Sequence, residues 1–363
     1  MESNGKLNQI IKVLFFLFLI TAALYFAQEL FIPITIACLL SLLLLPIQEK
    51  LEIKTGKIVS IVLCLLIIIT FISSVTLLFA SQLISFSDQF SELKDKATER
   101  FHDALHLVES KTSISTSNQK KWLSEMSGGK IHPGKWIKSV FMAGSSLLLT
   151  FGLIIVYIFC FLYYKEKFNS FFMSFAKEEN KQRVAEALVK IKHLVSHYFI
   201  GMVIVMAILG TMHSIGLLLL GIPNAIFLGY LASMFIIVPV VGTMIGSSIP
   251  FTIALLTKDS AWYAIGVAGV FSFNIFMESQ VLTPNIVGSH IKINPMAIII
   301  AIVIGGSIWG LAGMVLFIPI VGMVKIVSQN VEDLAPLDIL LSDDKKEGPS
   351  FWEGLKNKFK STK

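Results

Sequence analysis

From Tyr198 to Thr257 the chain carries no Asp, Glu, Lys or Arg, yet Pro223, Pro239 and Pro250 and the pair Gly242 and Gly246 interrupt the run. Apolar segments of this length belong in a bilayer, and helix breakers at this density keep them from being plain rods. Hydrocarbon offers no hydrogen bond to a freed peptide group. A broken helix therefore persists only where protein or a water-lined cavity receives its N–H and C=O groups. Breaks at mid-membrane depth point to a solute pathway.

The rest of the chain repeats the pattern. With 55% hydrophobic and 15% charged residues among 363, it has more apolar surface than one soluble core would need, which makes it an all-α integral membrane protein. A span takes about 20 apolar residues, and by that rule we count about eight. The first covers 10–27, the second 30–47, the third 58–81 and the fourth 139–164. A fifth runs to Leu220 and a sixth starts at Ala225. For residues 242–257 two courses fit: a second half-helix that completes the sixth span, or a re-entrant piece that folds back. The seventh covers 261–277. Pro295 to Val324 is a last uncharged run of 30 residues, longer than one upright span needs. Pro319 and the glycines Gly305, Gly306, Gly310 and Gly313 suggest that it is tilted, kinked or divided.

We divide the chain into 1–83 with three spans, an extracytoplasmic amphipathic segment at 84–136, and the fourth span at 137–164. Basic amphipathic helices at 165–197, a C-terminal transmembrane core at 198–328 and a charged tail at 329–363 follow. Phe86, Phe90, Leu93, Ala97, Phe101, Ala104 and Val108 fall on one helix face near heptad spacing, which suits a subunit contact or a helix lying on its own membrane domain. Lys165 to Lys192 holds seven basic against four acidic residues and faces the cytoplasm by the positive-inside rule. Eight crossings would leave both termini cytoplasmic. The tail residues Phe351, Trp352, Leu355 and Phe359 with Lys356, Lys358 and Lys360 form a basic amphipathic helix suited to anionic lipid. The net charge of +6 lies mainly in loops and tails and gives no reason to expect nucleic acid. Cys38, Cys64 and Cys160 all sit in apolar runs, so no disulfide framework follows.

The densest polar cluster near the membrane is Asn274, Glu278, Gln280, Thr283 and Asn285, followed by Gly288, Asn294 and Pro295. Asn274 and Glu278 are one helical turn apart and share a face. A carboxylate at mid-bilayer costs roughly 2.5 to 3.5 kcal/mol on insertion scales, so intramembrane acids are rare and usually functional. Glu278 is the candidate proton- or cation-binding group, with Asn274, Gln280 and Asn285 as hydrogen-bond partners. The plainer reading places Glu278 at the interface, where it ends the span. His213 could relay protons to Glu278, although such a histidine more often donates to a backbone carbonyl. Gly242 with Gly246, and Gly306 with Gly310, have the spacing that lets helices approach closely. No phosphate-cradling loop, catalytic constellation or metal set stands out, and we expect neither cofactor nor enzymatic activity.

These residues carry a resemblance. Val238-Pro239-Val240-Val241-Gly242-Thr243-Met244-Ile245-Gly246 and Glu278-Ser279-Gln280-Val281-Leu282-Thr283-Pro284-Asn285-Ile286-Val287-Gly288, followed by Asn294-Pro295, Gly305-Gly306, Trp309-Gly310, Gly313-Met314 and Ile318-Pro319, resemble the autoinducer-2 exporter family of bacterial membrane transporters. Glu166 resembles the acidic residue that commonly follows the fourth span. Thr243 stands where many members have proline, and Phe317 where a small residue is frequent. The resemblance implies a multi-pass permease of the bacterial inner membrane. Members are assigned to export of the quorum-sensing furanone autoinducer-2 or described as sodium or lithium/proton antiporters. Lipid, a small polar solute or monovalent cation, and further copies of the chain are the implied partners. A membrane scaffold is the non-transport alternative.

Overall fold

The computed structural model describes residues 2–82, 149–239, 241–288, 293–331 and 334–342. The expected outer amphipathic segment, the start of the fourth span and the tail helix lie outside them. Between their turns the described residues are helical, and one isolated bridge joins Ile293 and Ser342. In chain order they are α1 (Glu2–Phe26), α2 (Gln28–Thr55), α3 (Lys57–Gln82), α4 (Leu149–Tyr163), α5 (Lys165–Ser174), α6 (Lys181–Leu219), α7 (Ala225–Phe235), α8 (Val241–Thr257), α9 (Trp262–Met277), α10 (Pro295–Asn330) and α11 (Ala335–Leu341). Among the described residues five helices are long and apolar enough to cross a membrane, six if the α4–α5 pair, bent by 65°, counts as one span. Eight crossings are not confirmed among them, and two physical features account for the difference.

The first lies at Pro239. Helix α7 stops at Phe235 after 11 residues, about 16 Å of rise against roughly 30 Å of hydrocarbon. Past the proline turn, α8 runs back along it. A Cβ on Gly242 would sit 1.6 Å from the Phe235 carbonyl oxygen, and one on Gly246 would sit 2.8 Å from that of Ala232. Only glycine permits two backbones so close. Of the two courses open for 242–257, the structure takes the re-entrant one. The turns at both open ends of this hairpin lie together, since Lys258 Nζ comes close to Gly221. Lys258 thus shares an end with the 220–224 turn, where eight crossings would have set the two apart.

The second lies at Trp309 and Gly310, whose backbones leave helical values inside α10. A straight rod of 36 residues would run about 54 Å. Yet Asn294 N donates to the Leu341 carbonyl at 2.9 Å, and residues 331–341 reach at most about 40 Å fully extended. The helix must fold back. Gly310 supplies the reversal with φ +58°, a value L side chains rarely adopt. Residues 295–308 and 311–330 pack as antiparallel arms, with Gly305 and Gly313 backbone to backbone. The uncharged run is therefore divided into a second hairpin.

The lysine-rich segment after residue 47 is helical, because α2 continues through Lys50 and Glu52 to Thr55 before Gly56 turns the chain at φ +80°. Helices α2, α3 and α4 share a core of Ala37, Leu44, Ile61, Cys64, Leu65, Ile68, Ile154, Ile158 and Leu162. A second core joins α6, α7, α8 and α9. The third gathers Leu39, Tyr198, Val205, Leu209, Ile236, Ile308 and Trp309, so α6 is flanked by both hairpins.

Candidate functional site

Helix α6 is the ruler of the core. Gly216 packs on Val270 and Gly201 on Val287, which makes α9 and its continuation antiparallel to α6. Between those two contacts Glu278 falls across from the Ala207–Gly210 turn of α6. Gly229 meets Ser214, and Gly210 meets Tyr230 and Ser233, so the same turn stands opposite Ile236 at the tip of the α7–α8 hairpin. At the other end Gly322 rests on Leu194 and Ile293. From Gly322 to Trp309 the arm rises about 20 Å, which carries its tip from the level of Leu194 to that of Ala207. Both tips and the carboxyl thus fall near one level along α6.

At that depth α9 changes its winding. Glu278–Leu282 and Pro284–Gly288 are π-helical, wide turns that are frequent at functional sites. Pro284 brings no N–H to the ladder, so a carbonyl of the preceding turn is left for another partner. Asn274 is buried, with its Nδ2 lacking a hydrogen bond. Glu278 is half-buried one turn on, with the Thr283 side chain beside it. Ala264, Val267, Phe271 and Asn274 are buried along one stripe of α9 that Glu278 continues. The carboxyl therefore projects from the protein-facing side of the helix.

The remaining candidates separate from this pair. Gln280, Pro284 and Gly288 are exposed, and Gln280 reaches only Ser279 Oγ at 3.4 Å. Asn285 Nδ2 turns back to the Val281 carbonyl at 2.6 Å, satisfying its own helix. His213 stacks flat on Phe271, ring centroids 4.2 Å apart, beside the Gly229 backbone, and neither ring nitrogen has a well-formed hydrogen bond. It lies more than a turn from the level of Glu278. Pro250 and Pro319 are buried inside helices, while Pro295 starts α10 behind Asn294, whose Oδ1 accepts from Met296 N at 2.9 Å. Gly306 packs on Met314, whereas Gly310 meets no neighbour and serves the turn.

Two features escaped the sequence. Tyr198 is buried in the core that both tips enter, and its hydroxyl has no partner. At the opposite end of α2, Lys165 Nζ donates to Glu52 at 2.5 Å and to Gln48 Oε1 at 2.8 Å, while Gln48 Nε2 reaches Ser60 Oγ at 3.1 Å. Lys57 pairs with Glu166 at 3.7 Å and Lys192 with Glu49 at 2.5 Å. This network ties α2, α3, α5 and α6 together where positive loops are expected. Separations of over a hundred residues hid it.

Spanning helices and paired helical hairpins define a multi-pass membrane protein. A family model described as AI-2E family transporter matches residues 14–333, and the chain belongs to that family. It is 31% identical over 130 residues to "Putative transport protein YrrI" of Bacillus subtilis (strain 168), a match covering 36% of each chain. With "Putative transport protein YhhT" of Escherichia coli (strain K12) it shares 26% over 200 residues, 55% of this chain and 57% of that one. "Putative transport protein BpOF4_00890" of Alkalihalophilus pseudofirmus is 21% identical over 325 residues, 85% of this chain and 82% of the relative. The chain thus spans little more than a third of YrrI and over four fifths of the last.

Proposed function

We propose that this protein is a secondary transporter, not an enzyme, that exports a small uncharged polar molecule such as the quorum-sensing signal autoinducer-2 across the bacterial inner membrane. One relationship supports the reading: the two hairpin tips and the π-wound turn at Glu278 fall near one level along α6. Hairpin tips end four helix segments there, and such ends offer unpaired amides and carbonyls to a polar solute without a buried charge. Asn274 adds an amide hydrogen for a hydroxyl or carbonyl oxygen. Both termini are cytoplasmic in this reading, and copies of the chain assemble in the membrane. The test is extracellular autoinducer-2 in cells with and without the chain. Higher external signal with the chain supports the assignment, and equal levels remove that cargo.

The position of Glu278 favours a second reading, sodium or lithium/proton antiport. A half-buried carboxyl on the protein-facing side of α9, with a hydroxyl beside it, has the chemistry to exchange a proton for a small cation. Salt-dependent proton flux in reconstituted vesicles distinguishes it from export of a neutral solute.

A further inference from the structure

We infer that a groove between α6 and α9 is a binding site, filled from the bilayer, for an uncharged molecule with an apolar body and one hydrogen-bond acceptor oxygen, such as a ketone or a lactone. The site goes beyond the transport reading, because it fills whether or not a polar solute is exported.

The groove follows from two glycines. Gly216 brings α6 so close to α9 that a Cβ there would run into the Val270 side chain, and this contact forms the floor. Gly269 precedes Val270, and a Cβ on it would meet nothing within 4 Å, so the wall above the floor is missing on that side. A space of about 450 Å³ remains, the size of pockets that hold small ligands. Met212, Ile215 and Gly216 line it from α6, and Gly269, Val270, Phe273 and Asn274 line it from α9. Ile215 and Phe273 are largely exposed, which on two spanning helices turns them toward acyl chains and leaves the groove open sideways.

Asn274 is out of keeping with the rest of this lining. It is 2% exposed, and its Nδ2 has no hydrogen-bond partner. The other lining side chains carry no N–H, O–H or carboxyl group. Water does not meet the need, since a held water requires several polar partners and the lining side chains supply one. A charged ligand would lie in the groove without a counter-ion, which is costly in hydrocarbon. A bare acyl chain fills the space but leaves the amide unpaired. An uncharged molecule with an acceptor oxygen does both.

Depth excludes the esters of ordinary phospholipids. Helix α9 begins at Trp262, which is exposed, and Lys258 Nζ lies over the neighbouring Tyr263 ring at 5.0 Å. Aromatic and basic groups of this kind mark a membrane interface. From Trp262 to Asn274 the helix rises about 18 Å, against about 15 Å for half the hydrocarbon thickness. Glycerol esters stay near the headgroups, so the acceptor belongs to a molecule that dissolves in the membrane interior. Asn274 precedes Glu278 by one turn, so the occupant sits where α9 passes into its π-wound turns.

Benzophenone has an apolar body and one carbonyl oxygen, and on illumination it bonds to C–H groups beside it. The experiment illuminates benzophenone with the full-length chain in phospholipid vesicles and locates the adducts by peptide mass spectrometry. Saturable adducts on residues 212–216 or 269–274 are expected. Excess dicyclohexyl ketone should suppress them, and excess dicyclohexylmethane, the same body without the oxygen, should not. Asn274→Leu should weaken labelling about tenfold, as one lost hydrogen bond requires, and Gly269→Leu should abolish it by filling the groove. Equal competition by ketone and hydrocarbon overturns the acceptor and leaves ordinary lipid chains as the occupant. Adducts spread evenly over all exposed helices overturn the site. Labelling of other helices with none in the groove also overturns it, and gives the groove to a neighbouring copy of the chain. The competition is read on the unaltered chain, so it decides the matter even where a variant fails to fold.

Discussion

Gly305 and Gly313 face each other across the reversal of α10 so closely that a Cβ on Gly313 would stand 1.8 Å from the carbonyl oxygen of Gly305. Eight residues of unbroken helix would hold them about 12 Å apart. Their contact is what turns one long apolar run into a hairpin. The variant Gly313→Val must push the arms apart, and overpacking of this kind costs about 1–3 kcal/mol or more. We expect a lower thermal midpoint in detergent for Gly313→Val and near-native behaviour for Gly269→Ala, since Gly269 has open space around its Cα.

Replacing Glu278 separates the two transport readings. Glu278→Gln keeps the shape of the side chain and removes its charge and proton. Under cation exchange, salt-dependent proton flux in vesicles is lost. Under export of a neutral solute, solute flux persists while any proton coupling disappears. Unchanged flux of both kinds would exclude Glu278 from the mechanism.

Asn274 keeps a buried amide nitrogen without a partner, a state that costs about 1–3 kcal/mol when nothing compensates. Asn274→Leu fills the same space without the polar group. If Asn274 binds solute, the variant should melt at the same or a higher temperature while transport falls about tenfold, the equivalent of 1.4 kcal/mol. A fall in both together would mark Asn274 as a packing residue.

His213 lies flat on Phe271 and more than a turn from Glu278. The variant His213→Phe retains a ring for that stack. We expect its transport rate and pH dependence to match the parent chain, and a displaced pH profile would restore the proton relay.

Lys165 joins Gln48 and Glu52 while leading the bend into α5. Gln48 is buried while the two charged groups are only partly shielded, so we expect a coupling of only about 1 kcal/mol between Lys165 and Glu52 in a double-mutant cycle of Lys165→Met and Glu52→Gln. Thermal unfolding of the four proteins measures it. Additive effects would mean that the pair is solvated in the membrane.

Much of this architecture was legible in the residues. Pro239 and the four glycines from Gly305 to Gly313 announced breaks, because proline and glycine act on the backbone locally. Their directions were not legible. Whether Gly242 seals a fold-back or a kink depends on Ala232 and Phe235 lying beside it, and whether Gly310 packs or turns depends on a single φ angle. The site divided for a similar reason. Asn274 and Glu278 lie on one face of the helix, as the helical period requires, whereas Gln280 and Pro284, two and six residues beyond Glu278, fall on other faces and are exposed. Tyr198 left no signal at all, since an unpaired hydroxyl in an apolar core resembles any other tyrosine near a membrane surface.

Helix α2 belongs to two neighbourhoods: Ala37 and Leu44 are built into the core with α3 and α4, while Leu39 sits in the core that receives both hairpins. Whatever strain falls on the core that receives the hairpins is therefore passed along a rail whose reverse side is bolted to a separate three-helix block. Loosening that block would slacken the rail from a distance, so defects that map to α3 or α4 can arise without a single altered atom near Glu278.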